Sequence, residues 1–378
     1  MNRDGGENSQ PNFNGSTQGM RMSSVILSKP GTGENEHRQL MTLSKGAGTV
    51  GKPVKMQVKR TSDLQAPNML LTGHEGEVLS CKFSPSGEHL ASSSTDRAIL
   101  LWNTFGECKN YGILRPHTNA ILEIEWSIDG ERIFSASADK AVGITDATNG
   151  QSIKKFKEHT GIVNSIASKS RYSGGADIIA SGSDDGYILV WDSREKRAVS
   201  EIEYKYPVTS VCYSLTEDIL YTGSVDNKIC AWDTRNNSLV YTLEGHTDTV
   251  TGLCIAESTG NHLLSNSMDS QVRLWDTRPF CSIPTRCERV FVGAPLGFGT
   301  NLVRPAFSKD ETRVACGGAD RYINIWNVRT GEIVYRLPGH KGTVNQVDFH
   351  PKQPILLSAS SDKSLLLGEL DSVASIVK

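Results

Sequence analysis

The chain has 378 residues, 37% of them hydrophobic, and its 40 basic residues nearly balance 42 acidic ones, for a formal net charge of −2. This balance argues against a protein that coats nucleic acid or membranes through its overall charge. No apolar run is long enough to cross a bilayer and the N-terminus has no secretory apolar core, so we expect a soluble intracellular protein.

The segment 1–66 differs in composition from the rest of the chain. It is rich in Gly, Ser, Asn, Gln and Thr and has no sustained periodicity, so it cannot bury enough surface to offset the entropy of ordering. It contains nine basic and five acidic residues. The sequence therefore predicts a disordered, mildly basic tail at 1–66.

From residue 67 onward one pattern recurs seven times. Its clearest marker is an aspartate in a turn, at spacings of 41 to 51 residues: Asp96, Asp139, Asp185, Asp226, Asp269, Asp320 and Asp362. Six residues after each aspartate come Trp102, Thr145, Trp191, Trp232, Trp275, Trp326 and Gly368. Four residues before each come Ser92, Ser135, Ser181, Thr222, Ser265, Cys316 and Ser358. This period is that of a four-stranded propeller blade.

A histidine precedes a short loop and an apolar strand in five of the repeats: His74, His117, His159, His246 and His340. Repeats four and six have Tyr204 and Phe298 in its place. The first predicted strand, 69–72, has the sequence context of the outer strand that ends each later repeat. We therefore expect it to pair with the last blade and close a ring over 67–371, followed by a short C-terminal tail at 372–378.

Together these residues resemble the WD40 repeat family. The resemblance implies an all-β, seven-bladed WD40 β-propeller in which the His, Ser or Thr, Asp and Trp of one blade form a buried hydrogen-bond chain. Three blades carry the whole set: His74, Ser92, Asp96, Trp102; His159, Ser181, Asp185, Trp191; and His246, Ser265, Asp269, Trp275. A buried indole N–H and both imidazole nitrogens need partners, so losing one member should cost roughly 1–3 kcal/mol.

A serine, a histidine and an aspartate in register also suggest a hydrolase. We reject that reading because the same set recurs in blade after blade, whereas a nucleophile would be a single exception. Eight cysteines without a C-x-x-C pair fit neither a zinc site nor a disulfide framework. We therefore expect a non-catalytic protein with no metal, no cofactor and no small-molecule substrate.

The residue that follows each turn aspartate is expected on one face of the disc. This residue is basic in four blades that become neighbours once the ring closes, as Arg97, Lys140, Arg321 and Lys363. Lys341, in an adjacent loop, adds a fifth positive charge. We call these five residues the basic arc. The hypothesis is that it docks an acidic peptide or RNA phosphates; the alternative is that such turns simply favour solvated polar residues.

A W-D-x-R pattern ends at Arg194, Arg235 and Arg278. It resembles the pattern in WD40 substrate receptors of cullin-RING ubiquitin ligases, which is the alternative function. The arginines could instead pair with nearby carboxylates and order their own turns.

Several strings, among them MDSQVRLWDTRPF, LPGHKGTVNQVDFHP and SASSDKSLLLGEL, resemble the WD40 propellers of the U5 small nuclear ribonucleoprotein of the spliceosome. That resemblance implies a protein-interaction scaffold for pre-mRNA splicing in the nucleus. Its implied partners are U5 proteins, notably the large U5 scaffold protein, and direct RNA contact is left open.

Overall fold

The structure is a computed structural model that describes residues 60–169, 177–215, 218–297 and 302–371. The described residues form seven antiparallel four-stranded sheets. The innermost strands are β2 (Val78–Phe83), β6 (Ile121–Trp126), β10 (Val163–Ser168), β14 (Val208–Tyr213), β18 (Val250–Ile255), β22 (Ala306–Phe307) and β26 (Val344–Phe349). The second strands are β3 (His89–Ser94), β7 (Arg132–Ser137), β11 (Ile178–Ser183), β15 (Ile219–Ser224), β19 (His262–Ser267), β23 (Arg313–Gly317) and β27 (Ile355–Ser360).

The third strands are β4 (Ile99–Asn103), β8 (Val142–Asp146), β12 (Tyr187–Asp192), β16 (Ile229–Asp233), β20 (Gln271–Asp276), β24 (Ile323–Asn327) and β28 (Ser364–Glu369). The outer strands are β5 (Asn110–Leu114), β9 (Ser152–Phe156), β13 (Ala198–Glu203), β17 (Ser238–Leu243), β21 (Cys287–Val292), β25 (Ile333–Leu337) and, from the start of the propeller, β1 (Asn68–Thr72). The seven-bladed WD40 propeller predicted from the repeat is confirmed. No helix in the described ranges is long and apolar enough to cross a membrane.

The ring closes through β1, which pairs antiparallel with β28, so that Met69 lies opposite Leu367. Residues 60–66, which the sequence analysis assigns to the tail, also belong to the folded part. Leu64 is buried, and the Arg60 guanidinium lies 2.6 Å from a carboxylate oxygen of Glu369. Residues 1–59 and 372–378 lie outside the described residues, as does Phe298.

The hydrophobic core formed by the described residues is divided into seven clusters, each of which lies between two neighbouring blades. The cluster between the last blade and the first contains Leu357, Leu365, Leu90 and Trp102. Each blade therefore buries its apolar faces against both neighbours, and every blade depends on the ring being complete.

Polar side chains on the innermost strands join each blade to the next. Ser80 accepts a hydrogen bond from the Ile124 N–H, and Ser165 accepts one from the Val211 N–H. In the same way, a Glu123 carboxylate oxygen accepts the Ile166 N–H at 3.0 Å. These bonds fix neighbouring strands that do not otherwise pair as a sheet.

The central channel is crossed by a buried ion pair. Arg304 stands just before β22 in blade six, and its Nε lies 2.8 Å from Oε1 of Glu123 in blade two. The two side chains are 5% and 10% exposed. Arg304 also donates from Nη2 to the Asn164 carbonyl of blade three, at 2.9 Å. One side chain thus ties opposite sides of the ring together.

Candidate interaction surfaces

The three complete sets form the expected hydrogen-bond chains. In blade three, the Trp191 indole N–H donates to the Ser181 hydroxyl oxygen at 2.8 Å, and that hydroxyl lies 2.7 Å from His159 Nε2. His159 Nδ1 lies 2.9 Å from an Asp185 carboxylate oxygen. Because a carboxylate only accepts, Nδ1 carries the proton, and the serine donates to Nε2. The chains of blades one and five have the same connections.

Burial keeps the His159 side chain of blade three neutral. It lowers the pKa of His159, and Asp185 raises that pKa only in part. The Ser181 side chain is completely buried. Its oxygen accepts the Trp191 indole N–H, and its hydroxyl proton is donated to His159 Nε2. Such a serine cannot meet a substrate, so the geometry gives these residues a structural role.

Blades without the full set use other groups. In blade four the Tyr204 hydroxyl donates to the Asp226 carboxylate at 2.6 Å, so a phenol replaces the imidazole. In blade two, His117 still contacts Asp139 and Ser135, but the Thr145 hydroxyl that replaces the indole is buried with no partner. Blade seven keeps the links of His340 to Asp362 and Ser358.

The antiparallel order of each blade places two kinds of connection at the same end. The turns between second and third strands and the connections between blades lie on one face of the disc, which we call the upper face. The loops between first and second strands and between third and fourth strands lie on the opposite, lower face. The basic arc therefore lies on the upper face, and the W-D-x-R turns lie on the lower face.

All seven residues that follow the turn aspartates have a left-handed backbone. Gly186 has φ of 79° and Asn227 has φ of 69°, as expected of residue types that tolerate this region. The four basic members have φ between 66° and 72°: Arg97, Lys140, Arg321 and Lys363. The left-handed conformation costs a residue with a Cβ atom about 1–2 kcal/mol. Positive charge is thus placed where glycine or asparagine would fit with less strain.

The five cations of the basic arc are all exposed. Among the residues that the structure describes, no carboxylate lies within 4 Å of any of their charged groups: Arg97, Lys140, Arg321, Lys341 and Lys363. Their charges are available to a partner.

The lower-face arginines, in contrast, are already paired. Arg194 contacts both carboxylate oxygens of Asp192, at 3.1 and 2.7 Å, and Arg278 does the same with Asp276. The Arg278 hydrogen bond lowers the pKa of Asp276 to about 2. Arg235 lies 3.4 Å from Asp218. The geometry supports the reading in which these arginines order their own turns, and nothing favours the ubiquitin-ligase alternative.

Sequence reasoning missed an apolar group on the upper face. Ile162, Tyr206 and Val225 come from connections of blades three and four, away from the basic arc, and are 38%, 38% and 39% exposed. They do not belong to the repeated motif, so the only sequence signal is an apolar residue in an otherwise polar loop.

A second charged layer lines the channel towards the lower face. Lys82 Nζ lies 3.6 Å from a Glu125 carboxylate oxygen, and Asp348 accepts the Phe83 N–H. Desolvation raises the pKa of Glu125 to about 7 and that of Asp348 to about 6, against the opposing effect of Lys82. Within the described ranges, no group of three or more His, Cys, Asp or Glu side chains could hold a metal ion.

Comparison with known proteins gives consistent results. The family profile described as "WD domain, G-beta repeat" matches residues 65–103, 108–146, 150–192, 200–233, 237–276, 301–327 and 331–367. The chain is 48% identical to the U5 small nuclear ribonucleoprotein 40 kDa protein of Bos taurus over 311 residues, which is 82% of this chain and 86% of that protein.

Two further relatives cover similar lengths. The Homo sapiens protein of the same name is 45% identical over 340 residues, 88% of this chain and 94% of that protein. The pre-mRNA-splicing factor cwf17 of Schizosaccharomyces pombe (strain 972 / ATCC 24843) is 43% identical over 314 residues, 83% of this chain and 91% of that protein. The similarity therefore covers most of the chain.

Proposed function

The chain belongs to the WD40 repeat family and, within it, to the U5 small nuclear ribonucleoprotein 40 kDa proteins, and we propose that it is a non-catalytic scaffold of the U5 particle in pre-mRNA splicing. The observation that carries the proposal is the 48% identity to a U5 protein over 82% of this chain. The proposal places the protein in the nucleus and makes U5 proteins, notably the large U5 scaffold protein, its partners.

Within this role we assign the basic arc to partner binding. Four of its five residues hold a strained left-handed backbone, and all five charges are exposed and unpaired among the described residues. The favoured partner is an acidic protein segment rather than RNA. The same face carries the apolar residues Ile162, Tyr206 and Val225 beyond the basic arc, in blades three and four, and a peptide with both acidic and apolar side chains that crosses the face would contact both groups.

The test is affinity purification of the tagged full chain from cells that normally make it. The expected result is co-purification of U5 snRNA together with splicing proteins. Recovery of the chain without U5 snRNA or splicing proteins would refute the assignment to the U5 particle, and recovery with a cullin adaptor would favour the ubiquitin-ligase alternative.

A charge-reversed variant tests the basic arc. The substitutions are Arg97→Glu, Arg321→Glu and Lys363→Glu, and we expect them to reduce recovery of a protein partner at least tenfold without unfolding the ring. The matched control reverses three exposed cations of the lower face: Lys196→Glu, Arg197→Glu and Lys352→Glu. Equal recovery with both variants would refute the arc, and a loss that nuclease treatment of the wild-type complex reproduces would assign it to RNA.

A further inference from the structure

The loop from Thr277 to Arg286 carries the most exposed large hydrophobic residue in the described part of the chain. It joins β20 to β21 on the lower face and is the longest connection between a third and a fourth strand. Phe280 within it is 97% exposed. A phenyl ring that packs against nothing in its own chain adds nothing to the stability of the fold.

This loop is nevertheless held firmly just before the phenylalanine. The Arg286 guanidinium donates from Nη1 to the carbonyls of Arg278 and Asp276, at 2.6 and 3.2 Å, and from Nη2 to the Pro279 carbonyl at 3.3 Å. It also lies 4.5 Å from the centre of the Tyr241 ring in the neighbouring blade. Pro279 fixes its own φ angle. The backbone that presents Phe280 is therefore ordered before any partner arrives.

An ordered, exposed aromatic ring has the properties of an interface anchor. Because the loop is already ordered, little conformational entropy is lost when a partner binds to it. Aromatic side chains that enter pockets supply a large share of binding energy at protein interfaces.

We propose that Phe280 anchors a second protein interface, on the lower face, and that the partner is a folded protein with an apolar cleft that admits the phenyl ring. Arg278 in this loop is paired with Asp276, whereas no carboxylate among the described residues lies within 4 Å of the Arg286 guanidinium, so the loop keeps one positive charge and the rim of that cleft is acidic. One ring beside a single unpaired cation is a poor lipid anchor, which favours a protein over a membrane.

Site-specific crosslinking tests the interface. The full chain carries the photoreactive residue p-benzoylphenylalanine at position 280, or at Val199 as the control, since Val199 on β13 is 51% exposed. We expect one discrete product with another protein from position 280 and none from position 199. The crosslinked peptide should map to an apolar cleft of that protein.

Substitution then measures the contribution of the ring. Phe280→Ala should weaken binding to the crosslinked protein by about 30-fold, the loss typical of an anchor residue. Val199→Ala should leave it unchanged, and both variants should melt like the wild type because both side chains face solvent. Crosslinking to a second copy of this chain, to lipid or to nothing, or unchanged binding by Phe280→Ala, would overturn the proposal. The charge-reversed variant of the basic arc is not used in this measurement, so the proposals for the basic arc and for Phe280 are tested independently.

Discussion

Replacing Arg304 with methionine is expected to destabilise the propeller because it leaves the Glu123 carboxylate without its cation inside the channel. The two side chains are 5% and 10% exposed and lie 2.8 Å apart. Removing one partner of a buried ion pair lowers the free energy of unfolding by about 3–5 kcal/mol, mostly because the remaining charge is buried without a counterion. At roughly 2 °C per kcal/mol for a large domain, the melting temperature should fall by about 6–10 °C.

A double variant separates charge from packing. In Arg304→Met with Glu123→Gln the buried site is neutral, and the glutamine oxygen can still accept the Ile166 N–H. We expect this variant to recover most of the loss, leaving about 1–2 kcal/mol for the unpaired Asn164 carbonyl and imperfect packing. The matched control is Arg235→Met, whose arginine is 71% exposed and should change little.

Urea unfolding followed by tryptophan fluorescence, together with calorimetry, measures these differences. The reasoning would be refuted by an Arg304→Met variant that melts within about 2 °C of the wild type. It would equally be refuted by a double variant as unstable as the single one, since the loss would then come from shape and not from charge.

Two further stability measurements follow. Ser181→Ala leaves the Trp191 N–H and His159 Nε2 without their shared partner, so urea unfolding should show a loss of about 1–3 kcal/mol, whereas Ser282→Ala in an exposed loop should be neutral. Glu125 has a pKa of about 7, above its ordinary value, so the stability it contributes is complete below that ordinary value and is lost as the pH rises through 7. The melting temperature of Glu125→Gln should therefore gain on that of the wild type between pH 5 and pH 8, and a pH-independent difference would contradict the shift.

The repeat made the fold and the hydrogen-bonded sets predictable, because each blade copies the same residues at the same spacing. Asp185 and Trp191 could be placed from their register alone. The left-handed turns had a signal as well, since Gly186 and Asn227 occupy the position that Arg97 fills in blade one. Comparing equivalent positions would have revealed the strain under the basic arc.

Other features depend on the closed ring and have no local signal. Glu123 and Arg304 belong to no repeated motif, and they meet only because blades two and six face each other across the channel. The direction of the lower-face arginines was equally open, because a free arginine and one paired with Asp192 have the same sequence. The fixed backbone before Phe280 depends on Arg286, which only the loop geometry brings near.

The pairing of β1 with β28 also means that the ring cannot close until synthesis of the propeller is almost complete. The first strand leaves the ribosome early, but its partner appears only after nearly all the blades have been synthesised. At cellular rates of elongation this interval is on the order of tens of seconds. Throughout it, β1 is an unpaired edge that other nascent strands could capture. A chaperone that shields this segment, or a slower start to the folding of blade one, would protect the yield of closed rings.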